Sequence, residues 1–451
     1  MSATVDSDRR FRRLTAAWRG GPLQNRDFRL LSAGQLTSTI GDYCYAVALP
    51  WLILSTHGGT VLLGTVLACY GVPRTVLIPV GGILADKIGP RTVMLAADAV
   101  RCVLVALLAL LASRQTVTLA MLGPVAALLG AGEGVFIPAS FTIMPAIVEP
   151  DRLQAGNALS AAMIQVGSLA GPVLGGLLVT TAGPVPAFAV DAASFGISAV
   201  ALALISVRRL PAPVAQPDAS DAQDPAADAA ATQAPVAAER DPAATVWSLL
   251  RRSRLLQVIV VICIVANLAS GGTYQVAMPA LAHARFGAAG YGAMIACLGA
   301  GGLIGSLVAT RAGSLRRPAQ IACIAFLLEG TSTCLVPYVG GLAGASAAIL
   351  VLGICNGFGN IVMFTLLQQW APSHLLGRVI SLVMLASLGA NPASAALAGV
   401  LVRHLGPSPF FPVGGIVLIV AILGALTQRS FRDFGVTPAG GPADQAAELA
   451  R

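Results

Sequence analysis

The sequence predicts an all-α polytopic membrane protein, with twelve transmembrane helices in two six-helix halves. Three observations carry that prediction. Of 451 residues, 56% are hydrophobic and 11% charged, whereas a soluble chain carries about 25% charged residues. The apolar residues gather into twelve runs of roughly 20 residues, the length that crosses about 30 Å of hydrocarbon. The basic side chains are strongly asymmetric, with 23 of 28 in the arm, alternate loops and tail on one side. That bias marks a cytoplasmic face and puts both termini there.

In chain order, residues 1–27 form a cytoplasmic arm that carries seven arginines when Arg29 is counted with it. The apolar run that follows is too long for a signal-peptide core, so no cleavable signal is expected. The spans are placed at 28–54, 61–83, 92–112, 117–142, 156–181, 186–206, 255–282, 289–310, 319–339, 343–370, 377–402 and 410–427. The first is long enough to tilt, or to break near Pro50. Residues 28–206 make the first half and 255–428 the second. Between them lies a cytoplasmic linker, 207–254, whose middle (Pro211–Thr245) is Ala, Pro, Asp and Gln with almost no large apolar side chain. Such a stretch cannot bury enough surface to fold and is expected to be disordered. Residues 429–451 form a cytoplasmic tail. The halves echo each other: Pro150-Asp151-Arg152-Leu153 matches Pro372-Ser373-His374-Leu375, and Gly82 matches Gly305, at offsets of 222 and 223.

Several classes are excluded. The net charge of +8 orients the chain in the membrane and recruits no nucleic acid. All eight cysteines lie in apolar runs, without C-x-x-C pairs or histidine neighbours, so neither a disulfide nor a metal site is expected. No nucleophile–base constellation occurs, so no catalytic residue is assigned and the protein is expected not to be an enzyme. Lys87 is the single lysine among the basic residues, a usage that fits a GC-rich bacterial genome and hence the bacterial inner membrane.

Intramembrane acids are costly and mark function. Asp42 lies 14 residues into the first span, about 21 Å at 1.5 Å per residue, near mid-membrane. It reads either as a proton-coupling carboxylate or as a structural one bonded to Ser38, Thr39 or Tyr43. Glu133, in Gly130-Ala131-Gly132-Glu133-Gly134, is a second coupling candidate, or else the partner of Arg101 or Arg74. Glu329 is the acid well inside a second-half span. Asp98 and Arg101, three apart, can pair on one helix face. Polar residues expected to face a central cavity are Gln35, Tyr43, Arg74, Asn267, Tyr274, Gln275, Asn356, Asn360, Gln368 and Asn391. Amides among Cys, Met and Phe suit an amphipathic ligand held by few hydrogen bonds.

Spans 2 and 3 meet through Gly82-Ile83-Leu84-Ala85-Asp86-Lys87-Ile88-Gly89-Pro90-Arg91. Here Gly82 permits close helix approach, Gly89 a tight turn, and Asp86, Lys87 and Arg91 can pair across helix ends. The stretch resembles the loop signature of the major facilitator superfamily, G-x-x-A-D-[RK]-x-G-x-R. Span 5 holds Gly167, Gly171, Pro172, Gly175 and Gly176 in the pattern G-x-x-x-G-P-x-x-G-G, which resembles the element of that superfamily's antiporters. Asn25 to Leu31, Val72-Pro73-Arg74, Phe188 to Phe195 and Leu375 to Val379 are similar to the branch containing the enterobactin exporter and macrolide-efflux transporters.

The resemblance covers about 25–430 without the linker. It implies alternating access, with Asp86, Lys87, Arg91, Asp98 and Arg101 as a cytoplasmic charge cluster that latches the outward-facing state. Pro90 departs from the usual pattern, where a basic residue stands. The resulting expectation is a monomeric, proton-driven exporter of an amphipathic small molecule such as a drug, siderophore or metabolite. The proton gradient drives it without a cofactor, and membrane lipid is its other partner. The alternatives are a lipid or lysophospholipid transporter and a non-transporting receptor or scaffold.

Overall fold

The computed structural model describes residues 22–56, 58–113, 118–149, 152–206, 250–251, 253–310, 317–371, 376–428 and 431. The arm before residue 22, the linker middle Pro211–Thr245, the echo segment Pro372–Leu375 and the tail beyond 431 lie outside the described residues. Twelve long helices follow in order: α1 (Arg26–Ser55), α2 (Gly59–Ile88), α3 (Pro90–Ser113), α4 (Leu119–Ile147), α5 (Leu153–Ala182), α6 (Pro184–Leu204), α7 (Arg254–Arg285), α8 (Gly287–Ala309), α9 (Pro318–Leu335), α10 (Gly341–Trp370), α11 (Leu376–Leu405) and α12 (Pro407–Leu426). Among the described residues there is no strand.

Eleven of the twelve are long and apolar enough to cross a membrane. The exception, α1, is diluted by Gln35, Thr37, Ser38, Thr39 and Asp42. Two expectations are corrected. Helix α1 does not break at Pro50, which is buried within a continuous helix whose packing outweighs the lost backbone hydrogen bond. Helix α9 stops at Leu335 rather than 339, because Pro337 follows and the chain turns, Tyr338 N–H donating to the Leu335 carbonyl.

Local chemistry sets the ends. Asn25 caps α1 by accepting from the Asp27 N–H at 2.9 Å, and its amide donates to the Ile147 carbonyl at the end of α4. At Gly183-Pro184 and Gly406-Pro407, a glycine at φ +78° or +83° ends one helix and the proline starts the next. These joints are 223 residues apart, in line with the offsets of 222 and 223 in the sequence echo.

The packing repeats as well. In the first half α1 packs on α5 and α6, α2 on α4, and α3 on α4 and α6. In the second, α7 packs on α11 and α12, α8 on α10, and α9 on α10 and α12. Close approach within these pairs needs glycine: a Cβ on Gly130 or Gly134 would strike the carbonyls of Tyr70 or Arg74, and one on Gly301 or Gly305 those of Leu350 or Ile354.

The halves meet through α2 with α11 and α5 with α8. Both contacts lie toward the end opposite the start of α1, the far face; the end where α1 starts is the near face. Thr60 donates to the Gly399 carbonyl at 2.8 Å, Gly64 abuts Ala395 and Gly399, Gly71 abuts Pro392, and Gly176 abuts Ala288 and Gly292. One buried apolar cluster draws on both halves there, including Ile53, Leu63, Leu281, Tyr291 and Ala395. At the near face the cores are separate, around Phe28, Val93 and Ile143 in one half and Leu256, Cys323 and Leu367 in the other. The α2 stripe that meets α11 at the far face continues into Val72, Val76, Val80 and Ile83, all exposed. The bundle is closed at the far face and parted at the near face.

Candidate functional site

Halfway along the first half, three helices bring charges together around Arg101. From α3 its guanidinium lies 3.0 Å from Asp42 of α1 and 3.8 Å from Asp98, one turn away on the same helix. It also stacks 4.0 Å from the Phe195 ring centroid of α6 and is itself buried. Asp98 is 0% exposed and accepts from Ser198 Oγ at 2.6 Å. Asp42 is different: 46% of its side chain is exposed. Its partner is Arg101, and among the described residues no hydroxyl of Ser38, Thr39 or Tyr43 bonds it.

A second pair lies alongside. Arg74 of α2 meets Glu133 of α4 at 3.2 Å, the plainer of the two readings for Glu133. The glycines around Glu133 leave no open chamber: Gly130 and Gly134 admit the α2 backbone, and Gly132 admits the Arg101 stem.

Asp191 of α6 completes the cluster. It is 1% exposed, its Oδ1 has no hydrogen-bond partner, and it feels the charges of Asp42 and Arg101. Gly41 makes room for it, since a Cβ there would fall 2.6 Å from that oxygen. Asp191 lies within the Phe188–Phe195 stretch and is not among the acids that the sequence singles out. The same rule that singled out Asp42 applies, because Asp191 stands seven residues inside an apolar helix. The site then holds four carboxylates (Asp42, Asp98, Glu133, Asp191) against two guanidiniums (Arg74, Arg101).

The expected charge cluster at the helix 2–3 turn is corrected. Asp98 and Arg101 belong to the mid-helix site and not to the turn, because both point inward at Asp42 and Ser198. Arg91 instead donates to the carbonyls of Leu202 and Ala203, at 2.8 and 2.5 Å, closing the end of α6. Asp86 and Lys87 are exposed and make no ion pair among the described residues. Gly89 takes φ +86° at the turn. Gly82 is not the close-contact glycine: nothing lies within 4 Å of a Cβ there, and Gly81 abuts Val135 of α4 instead.

In span 5, Gly167, Gly171 and Gly175 face Thr39, Tyr43 and Cys44 of α1, and Gly176 faces α8, while the Pro172 carbonyl abuts Gly292. Gln165, not anticipated, donates to the Gly299 carbonyl across the halves at 3.1 Å.

The second half carries a smaller site. Glu329 of α9 is 1% exposed, and its Oε1 accepts from Tyr274 Oη at 3.2 Å and Asn356 Nδ2 at 3.0 Å. Of the other expected cavity residues, Asn267, Asn360 and Asn391 donate to carbonyls one turn back on their own helices. Gln35 has a buried Oε1 without a partner, Gln275 is half-buried, and Gln368 is exposed. Among the described residues no group of three His, Cys, Asp or Glu side chains could hold a metal.

Comparison with known proteins agrees with this architecture. The family profile described as Major Facilitator Superfamily matches residues 31–390. The chain is 27% identical over 406 residues to an uncharacterized MFS-type transporter, y4rN, of Sinorhizobium fredii, covering 89% of this chain and 94% of that one. It is 27% identical over 411 residues to the multidrug efflux pump Tap of Mycolicibacterium fortuitum, covering 89% and 95%. It is 26% identical over 424 residues to the enterobactin exporter EntS of Salmonella typhimurium, covering 91% and 94%. Among solved structures it resembles a point mutant of the nucleoside transporter NupG, with TM-score 0.66, 12% identity and coverage of 88% and 98%. A bacterial homologue of the iron transporter ferroportin, in an inward-facing state, aligns with TM-score 0.60, 14% identity and coverage of 88% and 98%.

Proposed function

Because this chain belongs to the Major Facilitator Superfamily, we propose that it is a proton-driven exporter of an amphipathic small molecule in the bacterial cytoplasmic membrane. Membership makes it a multi-pass membrane transporter; direction, driving ion and cargo are the proposal. The observation that carries it is the position of Asp42, half-exposed while its partner Arg101 is buried against two further acids. Four carboxylates against two guanidiniums would leave a net charge of −2 if all were ionised. Uncompensated charge in a low-dielectric interior is expensive, so protons neutralise the excess. A proton reaching Asp42 weakens its hold on Arg101, which then turns to Asp98 and Asp191. Loss of that proton restores the pair. Cargo and proton that cannot occupy the site together are thereby exchanged.

The near face carries the basic excess and is taken as cytoplasmic. On that assignment the parted near face admits cargo from the cytoplasm, and closing it while opening the far face releases cargo outside. Asp86, without an ion pair among the described residues while the near face is parted, would engage only when that face closes. Similarity to an efflux pump and an exporter supports export, and one chain supplies both halves, so a monomer suffices. The amides that the sequence sets among Cys, Met and Phe support an amphipathic cargo.

The test is proton release from everted vesicles challenged with amphipathic cations, macrolides and catecholates. Wild type is expected to respond to at least one class and Asp42→Asn to none, while the variant still binds that compound. Gradient-driven export by Asp42→Asn at the wild-type rate would eliminate Asp42 as the coupling group.

A further inference from the structure

Helices α1 and α7 are counterparts in the two halves, yet they differ in one respect. Helix α1 is regular from end to end, whereas α7 contains a π-helical turn over Thr273–Ala277. Its i→i−5 character shows where the Met278 N–H donates to the Thr273 carbonyl. Such turns need a cause, and side-chain insertion into the backbone ladder is a recognised one.

A side chain of α11 reaches the ladder at this point. Ser394 is buried, accepts from the Gly272 N–H at 2.7 Å, and donates to the Leu268 carbonyl at 2.6 Å. Residues 268 and 272 are the two groups that an α-helix pairs directly. One hydroxyl from a neighbouring helix therefore engages both members of that pair, immediately before the π turn begins. The approach requires glycine, because a Cβ on Gly272 would meet the Ser394 carbonyl and Ala398, and one on Gly271 would meet Asn391.

Two consequences follow from position. One extra residue in a turn rotates everything beyond it by about 100° relative to a regular helix. Within this turn Tyr274 reaches Glu329 at 3.2 Å, and beyond it Met278 and Leu281 enter the far-face core that joins the halves. Ser394 also neighbours Ala395, whose carbonyl abuts Gly64 of α2 at the seam between the halves.

We propose that Ser394 is a positioning residue that holds the π turn of α7 and thereby keeps the Tyr274 hydroxyl on Glu329. When Ser394 withdraws, the Leu268–Gly272 pair closes directly, α7 regains a regular register, and Tyr274 leaves the carboxylate with Asn356 as its remaining donor. The inference goes beyond the proposed exporter role and holds whatever the cargo is. The titratable side chains facing Glu329 are Tyr274 of α7 and Cys355 of α10; α12, also packed on α9, brings none.

The experiment compares Ser394→Ala, Ser394→Thr and Tyr274→Phe in the full chain in lipid nanodiscs. The first readout is amide hydrogen exchange over 268–278; the second is the pH profile of the Glu329 carboxyl infrared band, assigned with Glu329→Gln. Ser394→Ala is expected to change exchange in that segment by about 10-fold or more and to shift the band's pH profile as Tyr274→Phe does. Ser394→Thr should restore both, and Ser394→Ala with Tyr274→Phe should add nothing to the pH shift. Wild-type exchange in Ser394→Ala, or additive pH shifts, would overturn the proposal. Should the alanine variant fail to fold, Ser394→Cys gives the same comparison, because a thiol cannot make both short bonds. Neither readout involves transport, so failure here is separable from failure of the exporter reading.

Discussion

Replacing Arg101 with methionine keeps an unbranched apolar stem but removes the guanidinium shared by Asp42, Asp98 and Asp191. At an effective dielectric of about 20, Coulomb attraction is about 5.5 kcal/mol for the 3.0 Å contact with Asp42 and about 4.4 kcal/mol for the 3.8 Å contact with Asp98. These are gross values. Asp42 is half-exposed, so its pair is screened and contributes about 1 kcal/mol at most. Asp98 is wholly buried, and removing one member of a buried pair costs about 3–5 kcal/mol because the other charge is stranded. We therefore expect Arg101→Met to lose about 3–5 kcal/mol, chiefly through Asp98. Asp98→Asn in the same chain should recover about 2 kcal/mol or more, since contacting residues couple by up to about 3 kcal/mol. The assay is a double-mutant cycle by denaturant unfolding in nanodiscs, with folded fraction read from protease resistance. If Arg101→Met matches the parent within about 0.5 kcal/mol, or the two substitutions add, the buried pair is not what holds α3 in place.

Other changes probe the packing and the turn. Gly399→Leu places a side chain against the Thr60 carbonyl and Gly64; it should wedge the far face and lower thiol labelling of Val76→Cys from the near side, while Gly389→Leu, with open space around it, should not. Arg91→Ala frees two carbonyls at the end of α6 and should cost about 1.5–3 kcal/mol, the range for hydrogen bonds to charged groups, with Arg91→Lys recovering less than half in the same unfolding assay. Gly41→Ala should cost about 1–3 kcal/mol, as overpacking does, because the added methyl meets Asp191 and Ser194, whereas Gly302→Ala meets nothing and should be neutral.

The helices were legible because hydrocarbon imposes a coarse rule, some 20 apolar residues per crossing, and the sequence obeys it with Gly-Pro joints as punctuation. Residues whose cost is intrinsic were legible too: Asp42, Glu133 and Glu329 stand out by being acids in apolar runs. Their partners were less so. Arg101 and Asp98 are three apart, so the local pair was visible, but the reach of Arg101 to α1 depends on how α3 rotates against α6, which one-dimensional spacing leaves open. Asp191 obeyed the acid rule and was hidden by sitting in a stretch already explained. Ser394 had no signal at all, since buried serines are common in membrane helices and only the third dimension puts its hydroxyl on the Leu268–Gly272 pair.

The two halves share a scaffold of contacts but not a chemistry. In each, the first helix is tied to the third near mid-membrane: α1 to α3 through Asp42 and Arg101, and α7 to α9 through Tyr274 and Glu329. The first tie is ionic and half-exposed; the second is a hydroxyl–carboxylate bond, nearly sealed. Glycine contacts between backbones set the shared scaffold, and they constrain little of what the opposite helix faces carry. On the proposed coupling, an ionic tie open to water would respond to protons and charged cargo, because adding or removing one charge abolishes the attraction. On the role proposed for Ser394, a sealed hydroxyl–carboxyl tie would respond instead to helix register, because its donor moves with α7. On these two proposals chemical sensitivity would fall to the first half and mechanical sensitivity to the second, and the far-face seam of α2 with α11 and α5 with α8 is where the two would meet.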